Sequence, residues 1–202
     1  MTQKKVVQII LGAGRPFRGQ KNSALAKVSA DARVLDWSLQ AVKFLNPEVY
    51  FIAGYQIDEV VSRYPSLNYI INPNWSSTGP VFSLLEAKVP FSADYVVSYG
   101  DILFREKTVR QLLDLDADIV IAVDSIWKER YSSRTLDDIE RGEKVLVFED
   151  NLLDSSEKIS AEKANAEFIG LITLKPEVMR FIKENTEFFF TEMRRGTLAR
   201  LL

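Results

Sequence analysis

Apolar runs of strand length recur at residues 6–11, 49–53, 69–71, 95–98 and 119–123, and the stretches between the early ones carry apolar residues at helical spacing. Val34, Leu35, Leu39, Val42 and Phe44 mark a first helix, Ile57, Val60 and Val61 a second, and Val81, Leu84, Leu85 and Ala87 a third. Strands alternating with helices predict an α/β fold: a mainly parallel sheet covered on both faces. Asp58 and Glu59 suit the dipole at the start of the second helix, and Pro65 ends it. After residue 123 the rhythm breaks. Residues 124–142 are polar and charged, 144–148 and 168–174 read as later strands, and Pro176 opens a helix. Residues 191–202 have a helical pattern with Leu198, Leu201 and Leu202 on the apolar side, and Phe188, Phe189 and Phe190 read as core. A chain of 202 residues, 47% hydrophobic and without repeat or Gly/Ser linker, is expected to bury one sizeable core as a single domain, 1–202.

The first strand empties into Gly12-Ala13-Gly14, followed by Arg15 and Arg18. Small residues after a buried strand let an anion approach backbone N–H groups, so this junction reads as a phosphate cradle. It is neither the dinucleotide fingerprint, whose third glycine position is Phe17 here, nor a P-loop, since no G-K-[ST] follows. Taken alone, it is equally an ordinary strand-to-loop turn of an α/β protein.

The chain has no His and no Cys, and so has no disulfides, thiolate nucleophiles, His-based triads or His/Cys zinc sites. Carboxylate, hydroxyl, Lys and Arg chemistry remains, which suits Mg2+ and phosphoryl groups. A net charge of −2 gives no general attraction to nucleic acid or to a membrane surface, so the expected partners are small molecules. MTQKK and a six-residue apolar run are too short for a signal peptide, and a cytoplasmic location is expected.

In open parallel sheets ligands gather at the carboxyl ends of the strands. All five ends here are polar or glycine-rich: Gly12-Ala13-Gly14, Gly54-Tyr55-Gln56, residues 72–80 (NPNWSSTGP), Gly100-Asp101 and Asp124-Ser125. Asp101, just after Gly100, can hold a Mg2+ that bridges nucleotide phosphates, or can cap the following turn; Asp124 has the same two readings. Trp75 can stack on a base or simply cover its loop. Thr78 and Ser83 bracket a helix start, where a hydroxyl caps the helix or binds a nucleoside. Trp127 and Tyr131 form either an aromatic wall for a cationic group or a hydrophobic i,i+4 pair.

LGAGRPFRGQKNSALAKV resembles the signature of the sugar-phosphate nucleotidylyltransferases and their phosphocholine and phosphonate cytidylyltransferase relatives, L-A-A-G-x-G-x-R followed by P-K-x-L-x-x-V. Leu11, Ala13, Gly14 and Arg18 fall on the first element, Leu25 and Val28 on the second. RVLDWSLQAV, AGYQIDEV, NPNWSSTGPVFSLLEA, SYGDILF and AEFIGLITL, the last with Glu167 and Gly170, resemble later elements of the same family in the same order. The DS-x-W-x-x-x-Y and W-S-S-T-G segments look more like the phosphocholine and phosphonate branch than the glucose-1-phosphate branch.

The resemblance implies a Rossmann-like three-layer α/β/α fold of the nucleotide-diphospho-sugar transferase type, with a mainly parallel mixed sheet. It implies Mg2+-assisted transfer of a nucleoside monophosphate from an NTP, CTP favoured, to a phosphate or phosphonate acceptor, with release of pyrophosphate. Residues 1–124 would form the nucleotide half and 125–202 the acceptor half. Leu11, Gly12, Ala13, Gly14, Gly54, Tyr55, Asn72, Trp75, Thr78, Ser83 and Gly100 would bind the nucleotide, with Arg18 and Lys21 or Lys27 neutralising phosphate. Asp101 would hold the metal, and Asp124, Trp127, Tyr131 and Glu167 would line the acceptor site. The chain departs from the pattern in three places: Pro16 stands for the second signature glycine, Asn22-Ser23 for Pro-Lys, and no Asp-bearing strand follows the last helix. These departures leave open a nucleotide-binding module of the same fold that has lost its chemistry; the general family pattern also leaves open a sugar-1-phosphate enzyme.

Overall fold

The computed structural model describes residues 5–16, 21–90, 92–156 and 158–202. Strand β1, Val6–Leu11, is buried along its whole length at the centre of one eight-stranded sheet. Its alternate residues serve opposite layers: Val7, Ile9 and Leu11 join the largest core cluster, while Val6 and Ile10 face the other side. Gln8 shares that second side, where its amide donates to Ser38 at 3.0 Å. A strand covered on both faces has no solvent side, which is why it reads as an almost continuous apolar run.

Strands β2, Glu48–Ala53, β3, Asn68–Ile71, and β4, Asp94–Tyr99, continue the sheet in the order β3-β2-β1-β4, all parallel. Helices α1, Val34–Val42, α2, Ile57–Arg63, and α3, Pro80–Glu86, provide the crossovers. Helix α4, Glu106–Asp114, precedes β5, Ile119–Asp124. Ala41, Val42, Val109 and Leu112 cover one face of the sheet, whereas Val81 and Leu84 join Met179, Ile182 and Phe189 on the other. The architecture is therefore three-layered, as the alternation predicts.

The short helices α5, Trp127–Arg130, and α6, Leu136–Arg141, occupy the polar stretch after β5. Strands β6, Lys144–Phe148, and β7, Asn151–Asp154, form a hairpin, followed by β8, Ala166–Leu174. β8 runs antiparallel to β4, β5 and β6. Thr173 is paired with both Val96 and Val120, and Glu167 with both Asp124 and Lys144, so β5 follows one edge of β8 while β6 and β4 share the other. Between those two pairings lies Gly170, at φ +83°, a left-handed conformation that L side chains rarely adopt. A Cβ there would sit 2.2 Å from Tyr99 Cδ2, so the glycine also makes room for the tyrosine ring.

Helices α7, Pro176–Glu184, and α8, Thr186–Glu192, close the described fold. The expected helix over 191–202 is corrected. α8 ends at Glu192, a turn follows, and only Leu198–Leu201 recoil, as a 3-10 turn. The turn is used: Gly79 and Val81 at the start of α3 donate their N–H groups to Arg194 and Gly196 carbonyls at 2.8 and 3.2 Å. Of the three phenylalanines expected in the core, Phe189 is buried and Phe188 is 58% exposed. α4 and β7 were not anticipated. Among the described residues no helix is long and apolar enough to cross a membrane.

Candidate functional site

At the carboxyl ends of β1 and β4 lies a cleft of about 280 Å³. Leu11 through Pro16 line it from the end of β1, Trp75, Thr78, Gly79, Pro80 and Ser83 from the loop before α3 and its first turn, and Tyr99, Gly100 and Asp101 from the end of β4. Asn22, Ser23, Ala24, Glu143 and Thr197 complete the lining.

The Gly-Ala-Gly turn is present, but its two glycines do different work. A Cβ on Gly12 would lie 2.1 Å from the Phe51 ring, and the Gly12 N–H is already donated to Ile52 at 3.0 Å. Gly12 is therefore small for the sake of the core beneath it. A Cβ on Gly14 would meet nothing within 4 Å, so this is the glycine open to an approaching group. Asn22 stands where the resembled signature has proline. Buried to 2%, its amide nitrogen donates to the Gly12 and Tyr55 carbonyls at 3.0 Å each, and its oxygen accepts from Ala24 N–H at 3.1 Å. It ties the Gly-Ala-Gly turn to the segment just after β2.

Asn72 sits behind the cleft wall. It is fully buried, donating to Thr78 and Ser83 hydroxyls at 3.1 Å each and accepting from Asn74 N–H at 2.9 Å. It aims the two hydroxyls that do line the cleft. Thr78 does not cap α3, since its hydroxyl donates back to Asn74 O at 2.8 Å and Gly79 holds the cap position. Trp75 lines the cleft and is half-buried, tilted against Tyr55 with ring centroids 5.4 Å apart. Gly54 lies directly beneath it, where a Cβ would be 2.6 Å from Trp75 Cγ. Tyr55 and Gly54 thus support the wall without forming it.

Asp101 meets solvent at the rim while the cleft walls crowd its carboxyl. Burial raises its pKa, opposed only by its own backbone N–H. Glu143 was not anticipated. Its Oε1 accepts from Tyr99 at 2.7 Å and its Oε2 from Ala199 N–H at 3.3 Å, with a further bond to Thr197. Burial raises the Glu143 pKa against those bonds, and holds the Tyr99 phenol well above its ordinary value. No sequence motif surrounds Glu143. Only its place between a glycine and a buried strand marked it, and that signal is too common to use.

Arg18 lies outside the described residues. Neither Lys21 nor Lys27 lines the cleft. Lys21 is exposed and pairs with Glu59 at 3.5 Å, and Lys27 borders a separate basic recess with Arg33 and Arg63. Among the described residues Arg15 is the cleft's single cation, against the carboxyls of Asp101 and Glu143.

Asp124, Trp127, Tyr131 and Glu167 come together, but beside the cleft. Trp127 is 1% exposed and packs edge-on against Tyr131 at 5.5 Å, the hydrophobic i,i+4 pair. Tyr131 donates to Glu167, and burial followed by that bond pushes its pKa up to about 12. Arg130 pairs with both Asp124 and Glu167, the latter at 2.8 Å.

Among the described residues no group of three or more acidic side chains gathers as a metal cage. Asp101 nevertheless fits a Mg2+ ligand: it is a hard oxygen donor lining the cleft, with no described side chain offsetting its charge.

The parallel run β3-β2-β1-β4, continued antiparallel by β8, with a loop-lined cleft at its strand ends, is a mixed three-layer α/β fold, and its likeness to solved structures makes it of the nucleotide-diphospho-sugar transferase type. No family model matches the chain. It is 23% identical over 168 residues to the CTP:phosphoglutamine cytidylyltransferase of Campylobacter jejuni, a match covering 78% of this chain and 65% of that relative's length. Among solved structures, the inositol-1-phosphate CTP transferase from T. maritima superposes with TM-score 0.69 at 18% identity, over 98% of this chain and 80% of that one. The CTP:phosphocholine cytidylyltransferase from Streptococcus pneumoniae gives 0.60 at 16%, over 96% and 82%. In fold the chain is similar to nucleotidyltransferases, and in sequence to a cytidylyltransferase.

Proposed function

We propose that this chain is a nucleotidylyltransferase that moves a nucleoside monophosphate, CMP by preference, from its triphosphate to the phosphate or phosphonate of a small acceptor. One observation carries the reading: the Gly-Ala-Gly turn, a pair of aimed hydroxyls beside Trp75, and the Asp101 carboxylate line one cleft at the strand ends. The CTP in the names of these three proteins supports the choice of base; a glucose-1-phosphate thymidylyltransferase from Bacillus anthracis, TM-score 0.67 at 16% identity over 95% of this chain and 85% of that one, is why every NTP enters the test below.

In this reading Ala13, Gly14 and Arg15 face the triphosphate. Trp75 stacks on the base, and Thr78 and Ser83 hydrogen-bond the nucleoside. Asp101 would hold a Mg2+, which would supply charge neutralisation at the phosphates. An acceptor oxygen attacks the α-phosphorus, a new P–O bond forms, and the bond to the β-phosphate oxygen breaks. Pyrophosphate leaves with that electron pair. Such in-line transfer asks the protein for position and electrostatics rather than for a nucleophile. A chain without His or Cys is therefore adequate for it. The nucleotide half is residues 1–124 and the acceptor half 125–202.

A second reading, a nucleotide-binding module of the same fold, is favoured by the position of Lys21 and Lys27 away from the cleft. Pyrophosphate release separates the two. The protein is incubated with Mg2+, each NTP and a panel of phosphorylated acceptors. Release with CTP supports the enzyme, and Asp101→Asn should then abolish it with the fold intact. CTP binding without release from any pair leaves the module.

A further inference from the structure

The Thr78 and Ser83 hydroxyls are not equivalent, and Asn72 is the reason. The backbone N–H of Asn74 can only donate, and the Asn72 side chain receives it at 2.9 Å, so the receiving atom is the amide oxygen and the amide nitrogen faces the two hydroxyls. An NH2 group in turn only donates, so both hydroxyl oxygens accept, at 3.1 Å each. Their protons are directed elsewhere. Thr78 gives its proton to the Asn74 carbonyl at 2.8 Å, which leaves its oxygen one lone pair and nothing to donate. Ser83 is 5% exposed and lines the cleft, yet no described residue accepts its proton. One hydroxyl therefore offers the cleft an acceptor and the other a donor. The amide that imposes this order is firmly held: Asn72 is fully buried, its N–H is donated to Ala53 at 2.8 Å, and its carbonyl accepts from Trp75 at 3.3 Å.

Nucleobases differ in the same two signs. Cytosine shows an exocyclic NH2 donor beside an unprotonated ring nitrogen, whereas uracil shows a carbonyl acceptor beside a ring N–H. We propose that Thr78 and Ser83 read this edge of the base, Thr78 accepting from the exocyclic amine and Ser83 donating to the adjacent ring nitrogen, and that Asn72 is the positioning residue that sets their polarity. The proposal rests on the nucleotidyl-transfer reading, which puts the nucleoside beside Trp75, and adds to it a physical ground for cytosine over uracil. With uracil both contacts are reversed, so that oxygen meets oxygen and N–H meets a donor. A buried polar group left without its partner rejects a ligand more strongly than a lost apolar contact does. Adenine shares the signs of cytosine, so the device separates amino bases from keto bases.

CTP and UTP differ only at this edge and form the matched pair, with Kd measured by calorimetry in Mg2+ and no acceptor present. CTP should bind at least about tenfold more tightly, the order of one polar mismatch. Ser83→Ala removes the donor and should weaken CTP, bringing the ratio toward one. Asn72→Asp keeps an oxygen for the Asn74 N–H but turns the donor into an acceptor. Ser83 then gives its proton to the carboxylate and meets the base as an acceptor, and the ratio should fall to one or below. An Asn72 that merely held the loop would weaken both nucleotides alike. Melting temperature checks that each variant is folded, and Ser83→Ala decides where Asn72→Asp is not. Equal binding of CTP and UTP to the parent protein, or a ratio unmoved by the variants, overturns the proposal and leaves nucleotidyl transfer standing. The expected ratios without pyrophosphate release from any acceptor support the proposal and sink the transfer reading alone. Binding of neither nucleotide overturns the proposal, and pyrophosphate release with each NTP then judges the transfer reading by itself.

Discussion

Asp124 and Glu167 lie directly opposite one another on β5 and β8, and one guanidinium, that of Arg130, pairs with both carboxylates. Like charges facing each other across a sheet repel, so the arginine is what makes this register tolerable. Glu167 is 8% exposed, and Tyr131 donates to its other oxygen. Arg130→Ala should cost about 2 kcal/mol, since a mostly buried carboxylate loses its partner. At about 2–4 °C per kcal/mol for a chain of this size, melting should fall by about 4–8 °C. Adding Asp124→Asn to that variant should restore part of the loss, as a double-mutant cycle would measure.

Gly170 is a backbone requirement with a consequence at the cleft. Gly170→Ala places a Cβ at a left-handed position and against the Tyr99 ring. Strain and overpacking together should cost about 2–4 kcal/mol. If Tyr99 yields instead, the 2.7 Å bond to Glu143 is lost. Urea titration measures the first effect, and the acceptor KM measures the second.

Lys183 gives a pH signature remote from the cleft. Its ammonium donates to Leu84 at 3.1 Å and to Leu85 at the end of α3, and burial lowers its pKa from 10.5 to about 8. Because the folded pKa lies below the unfolded one, the unfolded chain binds more protons between them, and stability rises with pH through that window. The cost is present below pH 8 and gone above 10.5. Compared with Lys183→Met, which cancels the contributions of the tyrosines, the parent protein should gain stability between pH 8 and 10. A flat difference would remove this account.

Asn22 is the departure from the resembled signature that the structure explains most fully. Asn22→Ala removes two amide donations from the junction of β1 and β2 and leaves the buried Gly12 carbonyl without its side-chain donor. A loss of about 1–3 kcal/mol is expected. CTP binding, read by calorimetry, should weaken with it, because Gly14 loses the anchor of its loop.

The layered fold and the place of the cleft were legible because both follow from local pattern. Period-2 and period-3.6 apolar spacing encode which faces are covered, and a polar or glycine-rich end after each strand marks the sheet edge where loops gather. The α4 helix was missed because its buried contacts rest on Val109 and Leu112 alone, amid charged residues. The helix expected over 191–202 failed because leucine spacing there reflects a 3-10 turn docked by hydrogen bonds.

The amino-acid sequence by itself determined the α/β architecture, the Gly-Ala-Gly turn after β1 and the carboxylate after β4, since each depends on neighbours along the chain. The tertiary structure alone decided the rest. It gave Gly12 to the core under Phe51, turned Lys21 toward Glu59, and folded Asp124, Trp127, Tyr131 and Glu167 into a buttress. It also brought Glu143, 44 residues from Tyr99, and Leu198, 99 residues from it, onto the same phenol. Meetings across such distances are fixed by strand register and helix docking, which no local spacing records.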